Sequence, residues 1–237
     1  MMNPIAALRQ VFAVLYSPPE RARVYRDYNR TRQSYILQAA AKHFEKRDDD
    51  PAPLFGKTLL DVGCGESTIG EFLALSGAEI TAVDPDPQAL AKARESAALY
   101  GAPVTFVQSR AEDMLNSLAK YDVILALDVL EESRDPARLM WVLKQLLKPG
   151  GIIIFSAISR TPKAWFMHIF LSKYVYRRVP TDGRSFSRFF RPRQLGHLAH
   201  RAGLRLMNIQ GLYFSVRDGK WRLSRVMGTR YLATATL

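Results

Sequence analysis

The sequence predicts a doubly wound α/β fold, in which a mostly parallel, seven-stranded sheet carries helices on both faces and has an antiparallel C-terminal edge. Short, continuous apolar runs recur along the chain, and amphipathic or alanine-rich segments separate them. Runs that lack polar alternation are typical of parallel strands, because these are buried on both faces. Their regular alternation with helical segments favours a parallel sheet.

The first half of the chain begins with a helix. Residues 20–46 carry an apolar stripe at helical spacing, and an acidic run with two prolines at 47–53 ends the pattern. The elements predicted after it are a strand at 58–63, a helix at 66–76, a strand at 79–84, a helix at 87–100, a strand at 104–109 and a short helix near 111–119.

The second half continues the alternation and then changes character. The predicted elements are a strand at 121–127, a helix from Pro136 to Leu147, a fifth strand at 150–159 and two further strands at 204–215 and 229–237. No helical pattern lies between these last two strands. We therefore expect them to pair antiparallel at one edge of the sheet.

Composition limits the class of protein. With 237 residues and 48% hydrophobic content, the chain can bury one good core. A single cysteine, Cys64, excludes a disulfide framework and suits a reducing compartment. No apolar run reaches the eighteen or so residues of a transmembrane helix. We interpret the apolar residues 3–16 as a short amphipathic helix rather than a cleaved targeting peptide.

The net charge of +12 is concentrated in the last third of the chain. Residues 160–205 contain eleven Lys and Arg against one acid, whereas residues 1–159 hold 18 basic and 20 acidic side chains. A basic region of this density predicts an anionic partner, either a phospholipid surface or a nucleic acid. A solvated basic face that only aids solubility is the alternative.

A glycine turn follows the first predicted strand. Gly63 and Gly65 allow a ligand to approach the backbone closely, and Asp84 closes the next strand where a carboxylate can accept hydrogen bonds from ribose hydroxyls. Thr68 stands where a dinucleotide fingerprint requires a third glycine. Asp61, just before the turn, could face a cationic ligand. The pattern therefore favours S-adenosylmethionine, which carries an ammonium and a sulfonium but no phosphate.

Three carboxylates follow the fourth predicted strand. Asp128, Glu131 and Glu132 stand at i, i+3 and i+4, so they would share one face if a helical turn begins there. Hard oxygen ligands at this density suit Mg²⁺. A bound divalent cation would lower the pKa of a hydroxyl that coordinates it and would orient the oxygen of that hydroxyl. A general base without metal and a solvated acidic turn remain the alternatives.

From residue 28 onward the chain resembles the ubiquinone-biosynthesis O-methyltransferase family, a branch of the class I S-adenosylmethionine-dependent methyltransferases. The glycine turn is generic to that superfamily, whereas the segment RTPKAW (160–165) after the fifth strand is more specific to the family. The resemblance implies a Rossmann-like class I methyltransferase fold. It also implies O-methylation of a polyprenylated catechol or phenol in ubiquinone biosynthesis, with S-adenosylmethionine as methyl donor and Mg²⁺ as a second cofactor.

The resemblance also implies site residues. An arginine in the N-terminal helix of the family reaches the carboxylate of the methyl donor, and Arg32 stands in that place. The other donor contacts map to Gly63, Asp84 and Leu127. Glu112 could reach the adenine amine, although an exposed acid at a helix start is an equally good interpretation.

The residues that would bind the methyl acceptor differ from the family pattern. The family has Glu-x-x-Glu-His as ligands of a divalent cation, and this chain has Glu132 in place of the histidine. Ser159 replaces an asparagine, Arg184 replaces a histidine, and Arg230 replaces the asparagine of a Val-Asn-Tyr segment. These differences leave the identity of the acceptor open.

Residues 162–180 combine aromatic bulk with cations, as in a helix that lies on anionic lipid. The alternative is that Met167 and the aromatic side chains cap the sheet as ordinary core. The predicted organisation is an N-terminal helical segment at 1–50 and a methyltransferase domain at 51–237, with a basic, aromatic, membrane-docking insertion at 160–190. We expect a peripheral protein on the cytoplasmic face of the inner membrane, or in the mitochondrial matrix if eukaryotic.

The expected partners are a polyprenyl catechol, the anionic membrane surface and other quinone-biosynthesis proteins, and nucleic acid is not expected. An RNA or other small-molecule methyltransferase, and a catalytically weak scaffold of a quinone-synthesis complex, are the alternative functions.

Overall fold

The computed structural model describes residues 18–47, 49–66, 69–165, 186–215 and 217–237, and a single eight-stranded sheet organises them. The strands are β1 (Thr58–Val62), β2 (Glu79–Asp84), β3 (Val104–Gln108), β4 (Tyr121–Leu127), β5 (Leu147–Ile158), β6 (Arg205–Ser215), β7 (Lys220–Ser224) and β8 (Arg230–Thr236). They lie in the order β3-β2-β1-β4-β5-β8-β6-β7. The first five are parallel, and β8 is antiparallel to both β5 and β6.

Helices connect the parallel strands. They are α1 (Pro18–His43), α2 (Ile69–Leu75), α3 (Pro87–Tyr100), α4 (Pro136–Leu146), α5 (Pro162–Trp165) and α6 (Pro192–Arg201), with 3₁₀ turns at Asp113–Ser117 and Phe186–Arg188. Asp86 and Asp135 begin α3 and α4, and each carboxylate accepts a hydrogen bond from a backbone N–H of the first turn. A proline follows each of these acids, where its fixed φ suits the first helical position.

The sheet has a hydrophobic core on each face. Along β4, Ile124 and Ala126 pack in one core with α4 and α6, while Val123 and Leu125 pack in the other with α1 and α2. Successive side chains of a strand point to opposite faces, so a strand buried on both sides must be apolar at every position. This explains the continuous apolar runs of the sequence.

The helix α1 covers one face of the sheet and is bonded to the edge strand β7. Tyr35, Ile36 and Ala40 on α1 are buried in the core of that face. At the other end of α1, the carboxylate of Asp27 accepts a hydrogen bond from the backbone N–H of Trp221 in β7. These contacts place the N-terminal half of α1 above the antiparallel strands and close to the end of β4.

The predicted fold class is confirmed, with three local differences. The sheet has eight strands rather than seven, because the short strand β7 forms a hairpin with β6. The last strand is not an edge strand: β8 lies between β5 and β6 and is buried along nearly its whole length. The helix expected near 111–119 is a single 3₁₀ turn at Asp113–Ser117.

Parts of the predicted organisation lie outside the described residues. These are the amphipathic helix at 3–16 and residues 166–185, which make up most of the expected membrane-docking insertion. Among the helices that the structure describes, each is too short or too polar to cross a lipid bilayer.

We predict that Gly211→Ala destabilises the fold. A Cβ at this position of β6 would collide with the backbone carbonyl oxygen of Val226, which cannot rotate away as a side chain would. The free energy of unfolding should fall by about 2 kcal/mol. Gly196→Ala on α6 is the matched control, because its Cβ would lie 3.6 Å from Leu206 and alanine favours a helix. Urea unfolding of both variants checks this, and equal midpoints would contradict it.

Candidate functional site

A cavity of about 770 Å³ opens at the carboxyl ends of the parallel strands. Its volume is in the range of pockets that hold small molecules, about 300–1,000 Å³. This edge of an open α/β sheet is also where ligands of such folds bind. All seven residues predicted to contact the methyl donor line the cavity: Arg32, Asp61, Gly63, Gly65, Asp84, Glu112 and Leu127.

The glycine turn forms the floor of the cavity. Gly63 and Gly65 have φ angles of 66° and 57°, a region that glycine adopts without strain. A Cβ on Gly63 would collide with Val129, whereas one on Gly65 would meet no atom within 4 Å. Gly65 thus presents bare backbone to open space. A side chain there would take up room beside the turn, which fits a ligand that approaches the backbone closely.

Asp84 at the end of β2 is fixed by the turn that it faces. Its Oδ2 accepts a hydrogen bond from the backbone N–H of Gly65 at 2.8 Å, and its Oδ1 accepts one from Asp86 at 2.8 Å. Each carboxylate oxygen has two lone pairs, so both retain capacity for a ligand. The geometry is suited to the predicted ribose contact, which stays a prediction.

Asp128 connects four side chains at the end of β4. Its Oδ1 accepts hydrogen bonds from Ser156 at 2.9 Å and Arg230 at 3.0 Å. Its Oδ2 accepts them from Arg32 at 3.1 Å and Tyr28 at 3.3 Å. The backbone of Asp128 has a φ of 60°, a conformation that aspartate tolerates better than most residues.

The two arginines reach Asp128 from opposite ends of the sequence. Arg32 lies on α1 and also donates to the side chain of Asn29 at 2.9 Å, while its Nε is buried without a hydrogen-bond partner among the described residues. Arg230 begins β8 and donates to the hydroxyl of Tyr28 at 2.9 Å. Their side chains are only 8% and 12% exposed, so neither is a freely solvated surface cation.

Glu131 is buried behind the cavity. One carboxylate oxygen accepts a hydrogen bond from the backbone N–H of Ile158, and the other has no partner among the residues described. Burial, and secondarily the negative charge of Asp128, raises the pKa of Glu131 to about 7. The hydroxyl of Tyr231 is also buried without a partner in the described chain, and burial together with the Glu131 charge raises its pKa.

The three carboxylates do not converge as a magnesium site. Asp128 is bound by two guanidinium groups, Glu131 is buried, and Glu132 is exposed on the cavity wall. Asp128 has a φ of 60°, so a regular helical turn does not begin at this residue, although its charge still acts on Glu131. Within the described ranges, no group of three potential ligands is assembled for a metal ion. The magnesium prediction is therefore not supported.

In the sequence, Arg230 is evident only as a departure from the family pattern, and no motif marks Tyr28 as a site residue. The available signal was a cation at the start of a strand that is otherwise buried. Its contact with Asp128, 102 positions earlier, depends on the placement of β8 beside β5.

Comparison with known proteins agrees with this geometry. A family model described as a methyltransferase domain matches residues 25–209, which is more than three quarters of the chain. A ubiquinone biosynthesis O-methyltransferase of Cereibacter sphaeroides is 30% identical over 98% of this chain and 94% of its own. The chain belongs to the ubiquinone-biosynthesis O-methyltransferase family.

Two further members of this O-methyltransferase family show the range of similarity. The protein of that name from Photorhabdus laumondii is 33% identical, covering 86% of this chain and 81% of its own. The one from Proteus mirabilis is 35% identical, covering 76% and 74%. The family resemblance predicted from the sequence is confirmed.

Solved structures show the same fold at lower identity. Magnesium protoporphyrin IX methyltransferase from Synechocystis, with bound SAH, has a TM-score of 0.60 at 17% identity and covers 98% of this chain and 94% of its own. An S-adenosylmethionine-dependent methyltransferase from Clostridium acetobutylicum has a TM-score of 0.59 at 14% identity, with coverages of 86% and 90%. At these identities the likeness establishes the methyltransferase fold alone.

We predict that Asp128→Asn destabilises this O-methyltransferase. The amide would carry no charge, and two nearly buried guanidinium groups would lose their counterion, at a cost of about 3 kcal/mol. Asp218→Asn is the matched control, because the ion pair of Asp218 with Arg222 lies on the surface and should contribute little. Chemical denaturation checks the prediction, and a similar midpoint shift in both variants would contradict it.

A second prediction concerns pH. The pKa of Glu131 is raised from about 4.5 to about 7, so the folded state retains a proton that the unfolded state loses. The contribution of this group to stability is therefore complete below pH ~4.5 and decreases as pH rises to ~7. Glu131→Gln cannot ionise and should lack this decrease, whereas Glu132→Gln should retain it. Denaturation midpoints at pH 5 and pH 8 test this. If the midpoint of Glu131→Gln decreases from pH 5 to pH 8 by as much as that of the parent protein, the prediction is refuted.

Proposed function

We propose that the protein is an S-adenosylmethionine-dependent O-methyltransferase that acts on a polyprenylated catechol or phenol in ubiquinone biosynthesis. One observation carries the proposal: the seven predicted donor-site residues line a single cavity, and Asp128 and Glu132 after β4 line it as well. The names of the relatives supply the substrate class. Neither an RNA methyltransferase nor an inactive scaffold is favoured by any feature of the site.

The donor end of the cavity fits S-adenosylmethionine. Asp84 would accept hydrogen bonds from the ribose, Gly65 leaves room beside the turn, and Glu112 lies near the exit of β3 for the adenine. The Arg32–Asn29 pair lies beside Asp128 at the end of β4, on the other side of β1 from Asp84, and the charged amino-acid portion would bind to this pair and to Asp61. When bound, the donor supplies a methyl group on a sulfonium, which becomes a neutral thioether as the methyl forms a bond to the acceptor oxygen.

The acceptor end must receive one proton. A phenol has a pKa near 10, so its hydroxyl is mostly protonated at neutral pH and must lose the proton as the methyl–oxygen bond forms. Asp128 is held by two arginines, and Glu131 is buried. Glu132 is exposed and lines the cavity, so it is the carboxylate that can reach an acceptor hydroxyl directly. We assign the role of general base to Glu132.

Magnesium has no part in this proposal. The ligands that the resemblance implied do not fit it, because the Asp128 carboxylate is already bound by two cations and Glu131 bonds to the backbone of Ile158.

Membrane association belongs to the proposal as well. The support is the sequence of residues 162–180, where aromatic and basic side chains are interleaved, together with a substrate whose tail resides in lipid. We propose a peripheral location on the cytoplasmic face of the inner membrane, or in the mitochondrial matrix of a eukaryote. Other quinone-biosynthesis proteins would be neighbours there.

The donor assignment predicts that Asp84→Ala weakens S-adenosylmethionine binding at least tenfold, about 1.4 kcal/mol. The variant would lose the ribose acceptor and the bond that fixes Gly65. Glu79→Ala is the matched control, since Glu79 is exposed at the other end of β2, away from the cavity. Isothermal titration calorimetry gives both affinities, and an unchanged affinity in Asp84→Ala would rule out the assignment.

The substrate assignment predicts transfer of a labelled methyl group to a polyprenyl catechol in vesicles that contain anionic lipid. The same lipid with both hydroxyls already methylated is the control and should gain no label. Transfer should be slower from neutral vesicles if the basic segment docks on the membrane. Labelling of RNA instead, or no labelling of any prenylated catechol by a protein that binds the donor, would contradict the proposal.

A further inference from the structure

We propose that Arg230 takes the place of a divalent cation at the acceptor end of the site, so that this chain works with a built-in positive charge and binds no metal there. The inference rests on the proposed function only for its effect on turnover. Its structural basis is the contact between Arg230 and Asp128, which is independent of the substrate.

The position of the guanidinium supports this. Its Nη1 lies 3.0 Å from Oδ1 of Asp128 and 2.9 Å from the hydroxyl of Tyr28. Its carbon lies 5.2 Å from the centre of the Tyr28 ring. Ser156 donates to the same carboxylate oxygen, so the lone pairs of that oxygen are both engaged. A metal ion could use this oxygen only by displacing Arg230.

The second oxygen of Asp128 is equally engaged. Arg32 and Tyr28 donate to it, and Arg32 is itself held by Asn29. The carboxylate that would anchor a metal is therefore surrounded by four donors from three elements. Two of these donors are cations, so an approaching divalent ion would meet positive charge as well as occupied ligands.

The permanent charge of arginine explains why its guanidinium can replace a bound divalent cation. A guanidinium remains protonated at any physiological pH and is not removed by a chelator. The family pattern has a neutral asparagine at this position, so Arg230 adds to Arg32 a second positive charge beside Asp128. This charge takes over the role of a bound cation.

Replacing Arg230 should accordingly create a metal site. Arg230→Asn would release Oδ1 of Asp128 and remove a positive charge that acts on Glu131, whose second oxygen lacks a partner among the described residues. Glu132 is close in sequence and exposed on the cavity wall. These carboxylates are hard ligands of the kind that Mn²⁺ and Mg²⁺ prefer.

The test is a Mn²⁺ titration followed by electron paramagnetic resonance, on the parent protein and three variants. We expect the parent to bind no stoichiometric Mn²⁺. Arg230→Asn should bind one Mn²⁺ ion, with an affinity at least tenfold higher than that of the parent protein. Arg230→Lys keeps the charge and should behave as the parent. Arg222→Asn removes one exposed cation and should also behave as the parent, which controls for net charge.

A second measurement uses turnover. Methyl transfer by the parent should be unaffected by a chelator, whereas residual transfer by Arg230→Asn should become sensitive to it. Stoichiometric Mn²⁺ on the parent, or loss of its transfer with the chelator, would overturn the proposal even if the variant does not fold. So would a folded Arg230→Asn protein that binds no Mn²⁺. A parent that binds the donor but methylates no catechol would instead count against the proposed function.

Discussion

The charge balance around Asp128 is the constraint on which the acceptor half of the site depends. Two guanidinium groups, from Arg32 and Arg230, are withdrawn from water beside this carboxylate, and each would be costly to bury alone. Because the cations belong to α1 and β8, the carboxylate also fixes where these elements meet the end of β4. Removing it would therefore affect the position of two elements as well as the electrostatics of the cavity.

The donor half of the site follows from local sequence, which is why it could be predicted. Gly63 and Gly65 form a turn within a few residues, and Asp84 closes the adjacent strand, so the parallel register of β1 and β2 is enough to bring them together. Asp61 stands just before the same turn, whereas Leu127 came from the family resemblance. The family resemblance added Arg32, which a helix pattern alone would have left as one surface cation among several.

The acceptor half could not be predicted, because it depends on contacts between distant parts of the chain. The carboxylates at 128, 131 and 132 suggested a helical face, but Asp128 is bound by Arg32 and Arg230, which come from distant parts of the chain. The strand β8 was expected at an edge of the sheet, as one of an antiparallel pair. Its burial beside β5 brings Arg230 to Asp128, and no local pattern indicates that neighbour.

The position of β8 between β5 and β6 also determines the order in which the two halves of the site can form during translation. Both neighbours precede β8 in the sequence, so β6 and β7 have no place in the sheet until β8 has left the ribosome. A nascent chain that ends at residue 215 can already pair its five parallel strands and form the glycine turn. It still lacks Arg230. The donor-binding half can thus form during translation, whereas the acceptor half is completed only after its last strand has been made.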